Sequence, residues 1–107
     1  MKNQTEKKTL LIVDDVELFI QLQISHLGHR RYNIHTARSG SDGLEMARSL
    51  KPDLILMDLF MPDMNGDQIC RILKGDPETS SIPVVLVSSG ARGRSRAASV
   101  SSNCDGL

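Results

Sequence analysis

The sequence predicts one α/β domain built on a parallel sheet, on the strength of three observations. Two short runs, Leu10-Leu11-Ile12-Val13 and Leu54-Ile55-Leu56-Met57, are apolar at every position, the pattern of strands covered on both faces and too short for typical helices. Both runs stop at acid, the first at Asp14 and Asp15, the second at Asp58. Strand-like runs also alternate with longer helical patterns, which gives the order β-α-β-α-β-α-β.

Met1 to Lys8 is polar and lysine-rich and reads as a leader that frays in solvent, with the domain proper over 9–107. The first strand begins near Thr9. From Asp15, an acid at the start and apolar residues Val16, Leu18, Phe19, Leu22 and Leu27 predict a helix with that inward face, ended by Gly28. Tyr32, Ile34 and Thr36 repeat every second residue and predict a more exposed second strand up to Ala37. Ser39 caps a second helix running to Leu50, with Asp42 three positions on, Leu44, Ala47 and Leu50 inward, and Pro52 as its stop.

The third strand covers about Asp53 to Asp58, and Met61-Pro62-Asp63-Met64-Asn65-Gly66 follows as a loop by its Pro, Asn and Gly. Asn65 caps a third helix whose Ile69, Ile72 and Leu73 face inward, and Gly75-Asp76-Pro77 ends it. Ile82-Pro83 leads into a fourth strand, Val84 to Val87. The stretch from Ala91 to Asn103 is poor in large apolar residues and predicts only a weak helix, and Cys104 to Leu107 resembles the approach to a fifth strand.

At 107 residues there is room for one core and no separate effector module. Thirteen basic and thirteen acidic residues cancel, so the balance argues against direct binding of nucleic acid or an anionic membrane surface. No apolar run approaches the roughly 20 residues of a membrane span, and no secretory segment is present, which predicts a cytoplasmic protein. Cys70 and Cys104 form no C-x-x-C pair, so a disulfide is not expected.

The acids carry the chemistry. An Asp at a helix start can serve as a cap, and one at a strand end as a turn residue. If the two strands are neighbours, however, Asp14, Asp15 and Asp58 converge at the edge where open α/β sheets bind ligands. Each close pair would repel by roughly 3 to 4 kcal/mol at an effective dielectric near 20, a charge that calls for a cation or a shared proton. Oxygen-only ligands favour a hard ion, and a site that also handles phosphate favours Mg²⁺. Met57, Met61 and Met64 are better explained as core than as soft-metal ligands. His26, His29 and His35, and the Arg92, Arg94 and Arg96 series without aromatic partners, read as solvated surface.

Taken together, Leu-Ile-Val-Asp14-Asp15, Leu-Met-Asp58-Leu-Phe-Met-Pro62-Asp-Met-Asn-Gly66 and Val-Val-Leu-Val-Ser88-Ser89 resemble the receiver domain of bacterial two-component response regulators. The resemblance spans nearly the whole chain. It implies a flavodoxin-like, doubly wound sheet of order 2-1-3-4-(5) with helices on both faces. It implies that Asp58 is the phosphoacceptor for a histidine kinase or phosphotransfer protein, with Mg²⁺ held by Asp15, Asp58 and the Phe60 backbone carbonyl, and by Asp14 mainly through water. Ser88 supplies the hydroxyl that binds the phosphoryl group and reports it to the surface, so that the output is partner binding and not turnover.

Two departures follow from the same comparison. The family's lysine after strand five falls beyond Leu107, and Leu107 stands where an aromatic switch residue is usual; the fifth strand is incomplete and the fifth helix absent. The chain therefore reads as truncated at its C-terminus, with an exposed edge that invites a homodimer. Two other functions fit parts of the pattern. A degenerate receiver would bind partners without phosphorylation. A small Mg²⁺-dependent phosphohydrolase would use Asp58 as a transient nucleophile, but the second acid such enzymes need is replaced by Phe60.

Overall fold

A computed structural model describes residues 7–28, 30–88 and 99–101, with only the backbone described at 88 and 99–101. The order is β1 (Lys8–Val13), α1 (Glu17–Leu27), β2 (Tyr32–Ala37), α2 (Gly40–Leu50), β3 (Leu54–Asp58), α3 (Gly66–Gly75), β4 (Val84–Ser88) and β5 (Ser99–Ser101). The strands form one sheet ordered β2-β1-β3-β4-β5. β1 is parallel to β2 and to β3, with Val13 opposite Ala37 on one side and Met57 on the other. β4 continues the parallel set, with Asp58 opposite Val87.

Alternation along the strands divides the core. Leu11, Val13, Ile55, Met57, Val84 and Leu86 join Ala47 of α2 and Ile69, Cys70 and Leu73 of α3 in one buried cluster. Leu10 and Ile12 point to the other face, where α1 contributes the buried Ile20. Helices thus lie on both faces, as expected. Ser39 caps α2 by accepting the Asp42 N–H at 3.1 Å. Gln68 accepts the Asn65 N–H at 3.0 Å at the start of α3. Gly28 ends α1 at φ 87°, a conformation that side chains disfavour, and its N–H bonds the Ile24 carbonyl at 2.8 Å.

Four local expectations are corrected. The residue before α1 is Val16, which has no side chain to cap the helix; the neighbouring Asp14 bonds the Val16 N–H instead. Leu18 and Leu22 do not face the core but are 61% and 48% exposed. Apolar residues occur all round α1, so spacing alone does not select the face containing Ile20. In α3, Cys70 is buried and Ile72 is exposed, because the inward stripe passes through Ile69, Cys70 and Leu73. Within the expected weak helix, Ser99–Ser101 is instead a strand antiparallel to β4. Ten residues separate it from Ser88, fewer than the dozen or so a parallel crossover needs.

Cys70 is disulfide-bonded, contrary to the expectation from spacing, and its partner lies outside the described residues. Separation along the chain does not bound distance in a fold. The leader residues 1–6, Ser89, Gly90, His29, the arginine series and the segment from Cys104 also lie outside the described residues.

Candidate functional site: a carboxylate cluster at the sheet edge

Parallel pairing of β1 with β3 determines the site. With Val13 opposite Met57, the next residues, Asp14 and Asp58, leave the same edge of the sheet side by side. Asp15 follows directly. The three carboxylates each place an oxygen within 4.8 Å of the others, a distance at which two unit charges repel by about 3.5 kcal/mol at an effective dielectric near 20.

Each acid is set differently. Asp14 is 2% exposed, and its backbone N–H donates to the Ala37 carbonyl at 3.0 Å, which ties the start of the site to β2. Its Oδ1 accepts the Val16 N–H at 3.0 Å, and Gln23 of α1 reaches Oδ2 at 3.5 Å, a weak contact at best. Burial raises the Asp14 carboxyl above the ordinary range, and the Asp15 charge adds to the effect. Asp58 is 7% exposed. Burial first, then the Asp14 charge, push its carboxyl up to about 7. Among the described residues its backbone donor is the Phe60 N–H, which stands 3.5 Å from Oδ1 and offsets little of this. Asp15 is half-buried at the mouth.

None of the ion pairs among the described residues involves these three acids. The donor set is all oxygen, crowded and short of positive charge, and so fits a hard divalent cation better than a soft one. Phe60, two residues past Asp58, is 48% exposed. Ser88 ends β4 one residue beyond Val87, which is opposite Asp58; its hydroxyl lies outside the described part of the molecule.

Sequence reading missed two polar residues, one that touches the cluster and one that joins the following loop to α2. Gln23 lies on the same side of α1 as Ile20, three residues on, and could have been found by helical spacing once Ile20 was placed inward. Asp63 reads as a plain turn residue, yet its carboxylate receives the Gly40 N–H at 2.9 Å and the Ser41 N–H at 3.1 Å. No local sequence signal announces a contact between residues so far apart in the chain.

The chain matches the family model described as response regulator receiver domain over residues 10–106. It is similar to the response regulator PleD of Caulobacter vibrioides, 45% identical over 78 residues, which are 73% of this chain and 17% of that protein. It is also similar to Protein PilH of Pseudomonas aeruginosa, 42% identical over 73% of this chain and 64% of PilH. The chain thus spans less than two thirds of the length of both relatives. Among solved structures, the N-terminal domain of a response regulator receiver protein from Methanoculleus marisnigri JR1 superposes with a TM-score of 0.73 at 33% identity, over 79% of this chain and 69% of that one. Acids at the ends of β1 and β3, the 2-1-3-4 parallel order and a family match over nearly all of its residues agree: this chain belongs to the response regulator receiver domains of two-component signalling.

Proposed function

We propose that Asp58 accepts a phosphoryl group from a histidine kinase or phosphotransfer protein, and that the modification changes which partner the domain binds. The observation that carries this reading is the convergence of Asp14, Asp15 and Asp58 within 4.8 Å at the C-terminal sheet edge. A carboxylate oxygen of Asp58 attacks phosphorus, the bond from phosphorus to the histidine nitrogen breaks, and an aspartyl phosphate results. Asp15, Asp58 and the Phe60 carbonyl would hold Mg²⁺ directly and Asp14 through water. When bound, the ion offsets the negative charge that gathers as phosphate meets carboxylate.

Asp14 keeps its orientation through the Val16 N–H and Asp58 is held by β3, so neither needs to move for transfer. Ser88, at the end of the adjacent strand, donates its hydroxyl to a phosphoryl oxygen and passes the change to the surface. The output is binding and not turnover. The receiver unit starts with β1, which includes Lys8, and takes in the family match over residues 10–106. It acts in the cytoplasm, and among the described residues no helix is long and apolar enough to cross a membrane.

Intact mass after incubation with a small phosphodonor tests the reading, with and without Mg²⁺ and beside Asp58→Asn. One base-labile phosphoryl group, gained only with Mg²⁺ and only on the unsubstituted chain, is the expected result. No gain under any condition would leave a phosphorylation-independent binding module.

A further inference from the structure

The first turn of a helix leaves its N–H groups without intrahelical partners, and α2 finds its partners in a distant place. The Ser39 side chain accepts the Asp42 N–H, and its carbonyl the Gly43 N–H, which leaves the Gly40 and Ser41 N–H groups to find partners elsewhere. The Gly40 N–H donates to Asp63 Oδ1 at 2.9 Å, and the Ser41 N–H and Oγ both donate to Asp63 Oδ2 at 3.1 Å. The carboxylate also sits where the helix dipole favours negative charge. The Gly40 N–H, and after it the Ser41 groups, hold the Asp63 carboxyl below the usual carboxylate range although it is exposed.

Asp63 lies in the loop between β3 and α3, the loop that begins with Phe60. That loop is closed at its base, where the Gly66 N–H donates to the Leu59 carbonyl at 2.8 Å and the Leu59 N–H to the Val87 carbonyl at 2.9 Å. Its middle is pinned by the buried Met61. Its far side is pressed on α2: a Cβ on Gly40 would stand 2.7 Å from Ile69 Cδ1 and 3.1 Å from Met64 Cβ. Phe60 therefore lies between a base fixed to the sheet and an apex fixed to a helix, and the apex is held by Asp63.

We propose that Asp63 is a positioning residue for the phosphoacceptor site, tying the Phe60 loop to the start of α2 so that the Phe60 carbonyl stays aimed at the cation shared by Asp15 and Asp58. The proposal rests on the reading of the cluster as a Mg²⁺ site and goes beyond it by naming what holds the one ligand that is not a carboxylate. Coupling of this kind is reciprocal. A cation that fixes the Phe60 carbonyl also tightens the Asp63 bonds to Gly40 and Ser41.

The test is a Mg²⁺ titration of the full chain followed by amide NMR, with amide exchange read at Gly40 and Ser41, for the unsubstituted protein, Asp63→Ala and Asp63→Asn. In the unsubstituted chain Mg²⁺ shifts the Asp14, Asp15 and Asp58 amides and slows exchange at Gly40 and Ser41. Asp63→Ala binds Mg²⁺ about tenfold more weakly, at the low end for an outer-shell residue, and loses the Mg²⁺-dependent slowing. Asp63→Asn keeps an acceptor for Gly40 but none for Ser41 and falls between them; it also decides the matter should the alanine variant unfold. Unchanged Mg²⁺ affinity in both variants, with a lower melting temperature, would reduce Asp63 to a remote cap and overturn the proposal alone. Absence of Mg²⁺-dependent shifts at the three acids of the unsubstituted chain would overturn the metal reading, and the proposal with it.

Discussion

Gly66 lies against the backbone of Asp58 so closely that a Cβ at position 66 would stand 2.5 Å from the Asp58 carbonyl oxygen and 3.0 Å from Leu59 Cα. Both neighbours are backbone, so neither can swing aside. Gly66→Ala would gain up to about 1 kcal/mol of helix propensity, yet displacing packed backbone costs about 1 to 3 kcal/mol. The clash wins. Urea denaturation is expected to show a lower midpoint for Gly66→Ala, together with slower phosphorylation of Asp58; a variant as stable as the parent would show that the loop yields freely.

The raised Asp58 carboxyl makes stability depend on pH. The folded protein keeps that proton up to about pH 7, whereas the ordinary value is 3.8, so between these limits the folded state binds more protons than the unfolded one. Stability therefore falls as pH rises from about 4 to 7 and levels off above, with an upper limit of about 4 kcal/mol for this one group. Asp14 contributes in the same direction. Asp58→Asn removes the largest part of the effect, so thermal melts without divalent cation should place it above the unsubstituted chain at pH 8 and close to it at pH 4. Added Mg²⁺ should narrow the gap at pH 8 by binding only the folded, ionised site. Parallel curves for the two proteins would contradict this account.

Phe60 is half-exposed and two residues past the acceptor, and a bulky side chain there would hinder water on its way to an aspartyl phosphate. Phe60→Asn is expected to speed dephosphorylation by roughly fivefold, about 1 kcal/mol of barrier, and to leave the melting temperature nearly unchanged. Decay of the phosphorylated species by intact mass gives the rate. Equal rates would show that the ring does not screen the phosphoryl group.

Thr79 is fully buried, and its hydroxyl donates to the Leu73 carbonyl at 2.7 Å, closing the last turn of α3. Thr79→Val preserves shape and removes the donor. The Leu73 carbonyl keeps a longer bond from the Asp76 N–H at 3.3 Å, so the loss is expected to be about 1 to 2 kcal/mol and not more. Thermal denaturation measures it, and phosphorylation of Asp58 should be unaffected.

The strands and the carboxylate site were legible because they depend on local pattern: an apolar run stopped by Asp14 or Asp58 specifies both a buried parallel strand and what stands at its end. Helix faces were less legible. Leu18 and Leu22 have the same periodicity as a core face, and only tertiary packing leaves them exposed while Ile20 is buried. Ile72 stands about 200° round the helix from Cys70, at 3.6 residues per turn, so a stripe through Ile69, Cys70 and Leu73 leaves it outside. The contact of Asp63 with Gly40 and Ser41 could not be read at all, because it is created when α2 and α3 pack side by side. The antiparallel Ser99–Ser101 strand belongs with it, its direction being settled by a connection too short for a crossover.

β1 is paired on both sides with strands made after it, and between Asp15 and β3 the chain must build α1, β2 and α2. During synthesis the acidic pair therefore emerges alone, far from the third acid, and carries no unusual charge burden. The alignment of Val13 with Met57 both completes the central core and sets Asp58 beside Asp14. The step that rewards the chain with a buried sheet is thus the step that concentrates its negative charge. In this domain the demand for a cation is a product of folding itself, created when the third strand docks.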